Sequence, residues 1–462
     1  MSESNDDGRL RPKSLKFWHI VAMAVGGMIG TWIVDMRLWF EMSGTGAAGA
    51  LLLSLLLTIP VALVYSELHS MLPFSSAESV WATNAFNELA GFIVGWALTM
   101  LYVLALTWSV FGIGTIASYP YPEIEFFWVR LAGTILLLIW MGITMLKVEV
   151  SGKTALTMVA IMIGIAIISW IFFFGSGEWS TANIDLLPHG WSPFFALTGI
   201  LLFKWIGFDL IPQYAEETDY PRAKEWKLYI VALAITGAVY TMAVLAVGGI
   251  WGPEQIAEAR VIDPLIAEYL GMQWLAWVIV GGAILTVITV LPGFWGAGSR
   301  ILYGLGKQRI IVPIFNKVNK HGQPWLANLF MGISAIFFAI IAPIEWVGYI
   351  YTVFSFTAGL AFFVVVLSWF ALRYRKPDWE RPFKLSGKIG WVLAIIGLGF
   401  VTYVMYASIM EATTEGFIAL GVWYGLGALF WIYRTLKKRQ DPEKYQVKKL
   451  TPEDMSEEVR NM

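Results

Sequence analysis

The sequence predicts an all-α membrane protein of twelve transmembrane helices, and three observations carry that prediction. The chain is 58% hydrophobic and only 14% charged, whereas a soluble globular protein holds about 45–50% apolar residues. Apolar runs long enough to cross a bilayer, roughly 20 residues each, succeed one another so closely that no soluble domain fits between them. The basic residues also sort by position. With both termini placed inside, all but four of the 32 lysines and arginines fall in the tails, inner loops or inner helix ends, as cytoplasmic enrichment in Lys and Arg requires. The exceptions are Arg37, Arg130 and Arg260 on the other side and Lys204 within a span.

Backbone in lipid must satisfy its own hydrogen bonds, so each apolar run reads as a helix. Span 1, over 16–41, contains the stretch GGMIGTWIVDMRLWFE. Each glycine costs about 1 kcal/mol in a helix relative to alanine, so the cluster Gly26, Gly27 and Gly30 favours a break, although glycine also serves close helix packing. Span 2 covers 46–71. The segment after it, SMLPFSSAESVWATNAFNE, has no basic residue and is expected to re-enter the protein in part. Spans 3, 4 and 5 cover 89–118, 126–146 and 153–174. Span 6, over 192–215, has Gly207 nearly alone to unwind it and closes before Pro221, which cannot continue a helix. Span 7 covers 228–251. Span 8, over 273–304, is expected to be disturbed at Pro292 and Gly293. Spans 9 to 12 cover 324–342, 344–372, 388–410 and 415–436. The chain thus divides into a cytoplasmic N-terminal tail at 1–14, a membrane domain at 15–436 and a cytoplasmic C-terminal tail at 437–462.

Several function classes are disfavoured. The net charge of −1 offers nothing to nucleic acid, and without cysteine there are no disulfides or thiolate metal sites. The polar N-terminus runs into a full-length apolar helix without a cleavage site, so no removable signal peptide is expected. The four histidines, His19, His69, His189 and His321, are scattered, and no metal or nucleophile constellation recurs, which argues against an enzyme. No phosphate-binding glycine loop is present to support ATP-driven work. No cofactor is expected, and a gradient must supply the energy.

Four segments in order resemble the amino acid-polyamine-organocation (APC) superfamily of permeases: GGMIGTWI in span 1, YSELHSMLP ending span 2, LLFKWIGFDLIPQYAEETDYPR in span 6 and SRILYGLGKQRIIVPIFNKVNKHGQP after span 8. A fifth, LRYRKPDWERPFK, is similar to the basic loop after that family's tenth helix. The resemblance implies a LeuT-like fold, a five-plus-five inverted repeat of spans 1–5 and 6–10 with spans 1 and 6 broken near the midplane and spans 11 and 12 peripheral. It implies a secondary transporter for an amino acid or related small organic amine or acid, working by alternating access across a plasma membrane. Spans 1 and 6 would rock against a scaffold made largely of spans 3, 4, 8 and 9. Unwound backbone and helix dipoles hold substrate in such folds, which places Gly26, Gly27, Met28, Gly30, Thr31, Trp32, Phe203, Trp205, Gly207 and Phe294 at the expected substrate site. Proton symport is the first expectation for coupling. Exchange, sodium coupling and a non-transporting nutrient sensor remain alternatives, and assembly as a homodimer is left open.

Ionisable groups at membrane depth cost about 2.5–3.5 kcal/mol on insertion scales and so face cavities or one another. Asp209 stands where many similar permeases carry an acid beside the span 6 break, and is a candidate for proton coupling. Lys204 occupies a position that is usually small in the family. It can neutralise Asp209 or Asp35, or offer charge to a substrate, and its pairing with Asp209, five residues on, requires the helix to unwind. Arg37 is assigned to the outer interface, and Glu67 to anchoring the inner loops. Glu216 and Glu217 close the inner end of span 6. Two departures from the family stand out. Trp32 replaces a glycine that lets backbone approach a carboxylate, and therefore either occludes that site or points away from it. No lysine lies about a dozen residues after Glu149 in span 5, where Ile161 is found.

Overall fold

The computed structural model describes residues 9–460 apart from 31, 253–254, 257–258, 260, 342–345 and 411. Each predicted span has a helical counterpart. The unbroken ones are Ala47–Met71, Glu88–Ala117, Phe126–Ile143, Val148–Phe174, Trp226–Gly248, Gln273–Lys307, Trp325–Ile341, Trp346–Arg375, Gly387–Met410 and Thr414–Gln440. Where backbone donors emerge at a helix start, side chains cap them: Asn87 Oδ1 accepts from Ala90 N at 3.0 Å ahead of span 3, and Thr413 Oγ1 from Gly416 N at 3.3 Å ahead of span 12.

Spans 1 and 6 are the interrupted ones, each at the head of its group of five. Span 1 consists of Phe17–Ile29 and Trp32–Ser43. Span 6 runs through Trp191–Ile200 and Leu202–Trp205, becomes extended at Ile206, and continues as a 3₁₀ segment, Phe208–Glu217. Gly207 alone makes that break, because it adopts a φ of +143°, a conformation side chains rarely tolerate. The span 1 glycines act differently from the conformational role that their clustering suggests. A Cβ on Gly26 would stand 2.9 Å from the Thr289 carbonyl of span 8, and one on Gly27 would stand 2.9 Å from Leu210 of span 6. They permit close packing.

Span 8 also departs from expectation, since it is continuous through Pro292 and Gly293. The phenol of Tyr214 donates to both the Pro292 and Gly293 carbonyls at 3.1 Å. The segment between spans 2 and 3 folds back as a buried helix, Ala77–Ala85. Trp81 on it donates through Nε1 to the Leu72 carbonyl at 3.1 Å. Spans 4, 9, 11 and 12 turn apolar side chains outward, among them Ile139, Phe337, Ile396 and Leu429, the surface a bilayer covers.

The end of the bundle rich in Lys and Arg, called here the basic end, is tied together by charge and backbone. Glu67 of span 2 receives Arg373 Nη2 at 2.5 Å and Arg381 Nε at 3.3 Å, which pins the loop between spans 10 and 11. Leu15 N donates to Glu217 O, and Asp219 N to Leu15 O, at 2.9 and 2.7 Å. The C-terminal segment is laid over the same end: Lys448 N donates to Gln308 O at 2.9 Å and Asn84 Nδ2 to Leu450 O at 2.8 Å. Leu450 is fully buried.

Candidate functional site

A cavity opens where the two interrupted spans meet. It is small, about 50 Å³, well short of the roughly 300–1,000 Å³ typical of small-molecule sites. Its wall is built from Gly27 and Met28 of span 1, Phe203, Lys204 and Ile206 of span 6, Ala105 and Trp108 of span 3, Val290 and Phe294 of span 8, and Phe354 of span 10. Apart from Lys204 these side chains are apolar. The ends of the broken helix leave carbonyls without helical partners, and neighbouring spans take them up. Tyr240 of span 7 donates to Met28 O, and Thr289 Oγ1 of span 8 lies 3.3 Å from Gly26 O. Gly207 abuts this same stretch, since a Cβ there would meet Met28 Cγ at 2.5 Å and Ala24 O at 2.9 Å.

Lys204 is buried and bonded to Asp35 of span 1, which is buried with it. Its ammonium lies 4.7 Å from the Phe203 ring centroid and 5.5 Å from that of Trp39, positions at which an aromatic face attracts a cation. Lys204 is therefore joined to Asp35 across the cavity wall, while Asp209 finds other partners. Asp209 accepts from Tyr102 OH through Oδ2 and from Gly207 N through Oδ1, both at 2.7 Å. Tyr102 in turn packs edge-on against Phe294, their ring centroids 5.3 Å apart. The carboxyl of Asp209 thus holds the extended turn of span 6 and contacts a residue next to the cavity, yet is not part of its wall.

Of the residues expected at the substrate site, Gly27, Met28, Phe203 and Phe294 line the cavity, with Lys204 beside them. Gly26 and Gly30 are packed against span 8, where a Cβ on Gly30 would overlap Val290. Trp205 faces away, donating through Nε1 to Ser54 Oγ of span 2 at 2.9 Å and packing on Tyr240. Trp32 lines a second, smaller cavity with Trp170, Asp263, Ile279 and Thr286. Its indole thus points away from the wall of the central cavity. Thr31 lies outside the described residues. The span 5 residue that meets Gly26 is Val159, whereas Ile161, the position at which the family's lysine is counted, is exposed on the outside of the bundle.

Two ion pairs stand at the basic end of span 6. Arg300 forms a bidentate pair with Glu217, at 2.5 and 2.9 Å, and donates to Gln323 Oε1 at 3.0 Å. Glu216 accepts from Lys307 Nζ at 2.7 Å and from Ser75 N at 3.0 Å. Arg37, at the opposite end, forms an exposed pair with Glu41, one turn along the same helix.

Sequence reasoning passed over Tyr102, Tyr240 and Glu78. Glu78, on the re-entrant helix, is fully buried and accepts from Gln213 Nε2 of span 6. Burial, with the Asp209 carboxyl nearby, pushes Glu78 up to about 8. A signal for it was present, since Glu78 is the one charged residue between Met71 and Asn87, and a carboxylate in a segment that re-enters the protein without a basic neighbour has to find another partner.

Comparison with known proteins agrees with this architecture. Residues 15–430 match the amino acid permease family. The chain is 25% identical to the branched-chain amino acid permease BcaP of Bacillus subtilis (strain 168), over 85% of this chain and 90% of the relative. It is 25% identical to the methylthioribose transporter of the same organism, over 92% and 94% of the two chains. It is 23% identical to the aspartate-proton symporter of that organism, over 85% and 79%.

Proposed function

The chain belongs to the amino acid permease family, and on that premise we propose that it carries an amino acid with an apolar side chain across the plasma membrane in symport with protons. The basic end then faces the cytoplasm, with both termini there, as the distribution of Lys and Arg supports. The central cavity carries the reading. Its wall is apolar except for Lys204, whose charge Asp35 already balances, so it suits an apolar side chain better than a second net charge. The α-carboxylate and α-ammonium find polar backbone at the interrupted helices, the arrangement by which discontinuous helices hold charged groups at the midplane.

Alternating access follows from the two barriers. Glu217–Arg300 and Glu216–Lys307 close the cytoplasmic side, and Lys204–Asp35 joins span 6 to the outer half of span 1. Parting the first set opens the cavity inward, and parting the second opens it outward. Asp209, beside the span 6 break and bonded to the scaffold through Tyr102, is the coupling acid in this reading. A carboxyl there links protonation to the shape of the break, because an acid that loses its charge also loses strength as an acceptor from Gly207 N and Tyr102 OH.

Proteoliposome uptake tests the proposal. Leucine and isoleucine should accumulate when the lumen is alkaline, and lysine and aspartate should compete weakly. Absence of uptake and counterflow for every apolar amino acid would remove the substrate assignment. Uptake indifferent to the pH gradient would remove the coupling.

A further inference from the structure

Glu78 and Asp209 come from different elements and meet in one buried polar patch on the basic side of the central cavity. Glu78 Oε2 accepts from Gln213 Nε2, and the same amide nitrogen lies 3.4 Å from the backbone carbonyl of Asp209, one turn earlier in the 3₁₀ segment. The other oxygen of Glu78, Oε1, is buried and has no hydrogen-bond partner among the described residues, and Gln213 Oε1 shares that condition. Among the described residues, the titratable groups that act on the patch are Tyr65 of span 2, Tyr102 of span 3 and Tyr229 of span 7. All are neutral phenols, which supply no positive charge. Two carboxylates in a dry environment without a cation beside them cannot both ionise, so the pair holds a proton between them and titrates as a unit.

The two acids also sit at different depths. Asp209 adjoins the break that borders the cavity, whereas Glu78 is carried on the re-entrant helix at the basic end and packs beside Ser75, whose backbone N–H is held by Glu216 of the inner barrier. Parting Glu216 from Ser75 N and Lys307 would therefore expose Glu78, on the helix that begins just after Ser75, ahead of Asp209.

We infer that Glu78 is the proton-releasing acid of the carrier, forming with Asp209 a two-carboxyl store that takes a proton in at Asp209 and lets one out at Glu78. The inference rests on the proton-coupled reading above. Protons balance across the cycle. The closed, loaded pair holds two; the O–H of Glu78 ionises to cytoplasmic water when the inner barrier parts; as the barrier recloses the remaining proton passes from Asp209 to the Glu78 carboxylate, and the vacated Asp209 carboxylate takes the next proton from the outer side. At no stage are both acids charged while buried.

The test uses the full chain in proteoliposomes with an entrapped pH indicator and leucine as the probe. Wild type should acidify the lumen as leucine enters. Glu78→Gln should lower the protons moved per leucine at least tenfold, and Glu78→Asp should restore at least half of the wild-type ratio, which a merely structural role would not do. Wild-type leucine entry without acidification would overturn the coupled reading and this inference together. Acidification in wild type matched by Glu78→Gln would overturn the inference alone. Should Glu78→Gln fail to fold, infrared spectroscopy on wild type serves instead. A protonated carboxyl band at pH 7 that shifts in Gln213→Leu is expected, and its absence overturns the shared store.

Discussion

Lys204 and Asp35 are both withdrawn from water, so each depends on the other for its charge. Removing one member of a buried pair leaves the other uncompensated at a cost of about 3–5 kcal/mol, whereas replacing both with neutral groups is often nearly neutral. Lys204→Met should therefore lower stability by an amount of that order in a thermal or denaturant titration, and Asp35→Asn in the same chain should recover most of it. An unchanged melting profile and unchanged leucine uptake in Lys204→Met would show that the pair carries neither stability nor transport. A second residue gives a pH dependence. Asp263, on the short helix Ile262–Tyr269 outside the spans, is lifted by burial to about 7, well above its unfolded value of about 3.9. The stability linked to it is complete below about pH 4 and is lost as pH rises through about 7, because only the unfolded chain ionises freely in that window. The melting temperature should fall between pH 5 and pH 8, and Asp263→Asn should flatten that fall; equal slopes in both proteins would exclude Asp263 as its cause.

Among the elements, the two interrupted spans reach similar shapes by different means, and substitutions separate them. Gly207→Ala places a side chain at a φ of +143° and against the carbonyl of Ala24, so it should reduce uptake at least tenfold. Trimming Met28 should not rescue it, because the backbone strain remains. Gly27→Ala meets chiefly the flexible end of Leu210 and the edge of Phe294. It should fold normally and narrow the cavity, raising the KM for isoleucine more than for alanine. Equal loss in both variants would contradict this distinction. The breaks themselves were legible, since glycine amid a long apolar run is costly enough to need a reason. What the glycines of span 1 do was not legible, because that depends on the distance to span 8, and no pattern within span 1 encodes it. Pro292 misled for the same reason: the helix continues through it, and the phenol of Tyr214, distant in sequence, buttresses the Pro292 and Gly293 carbonyls from outside span 8.

In the molecule as a whole, the succession of spans could be read from the chain because bilayer thickness acts on every span alike. Partner choice could not. Lys204 had two candidate acids in the sequence, and only three-dimensional proximity selects Asp35; Trp32 likewise had two directions open to it. The proposed closure of the basic end makes a global prediction, and the absence of native cysteine provides a clean background for it. Ala105→Cys, in the cavity wall, should react slowly with a membrane-impermeant maleimide applied from the basic side. Adding Glu217→Gln should raise that rate several-fold by weakening the hold of Arg300 on span 6, and an unchanged rate would show that the barrier lies elsewhere. The segment running from Asp441 to Arg460 has a practical bearing on all such measurements. With Leu450, Met455 and Val459 buried and Asn84 holding its backbone, it rests on the re-entrant helix, the element that shifts in the proposed opening of the basic end. A purification tag or fluorescent reporter fused after it would hang freight on a hinged part, and the rates recorded would belong partly to the freight.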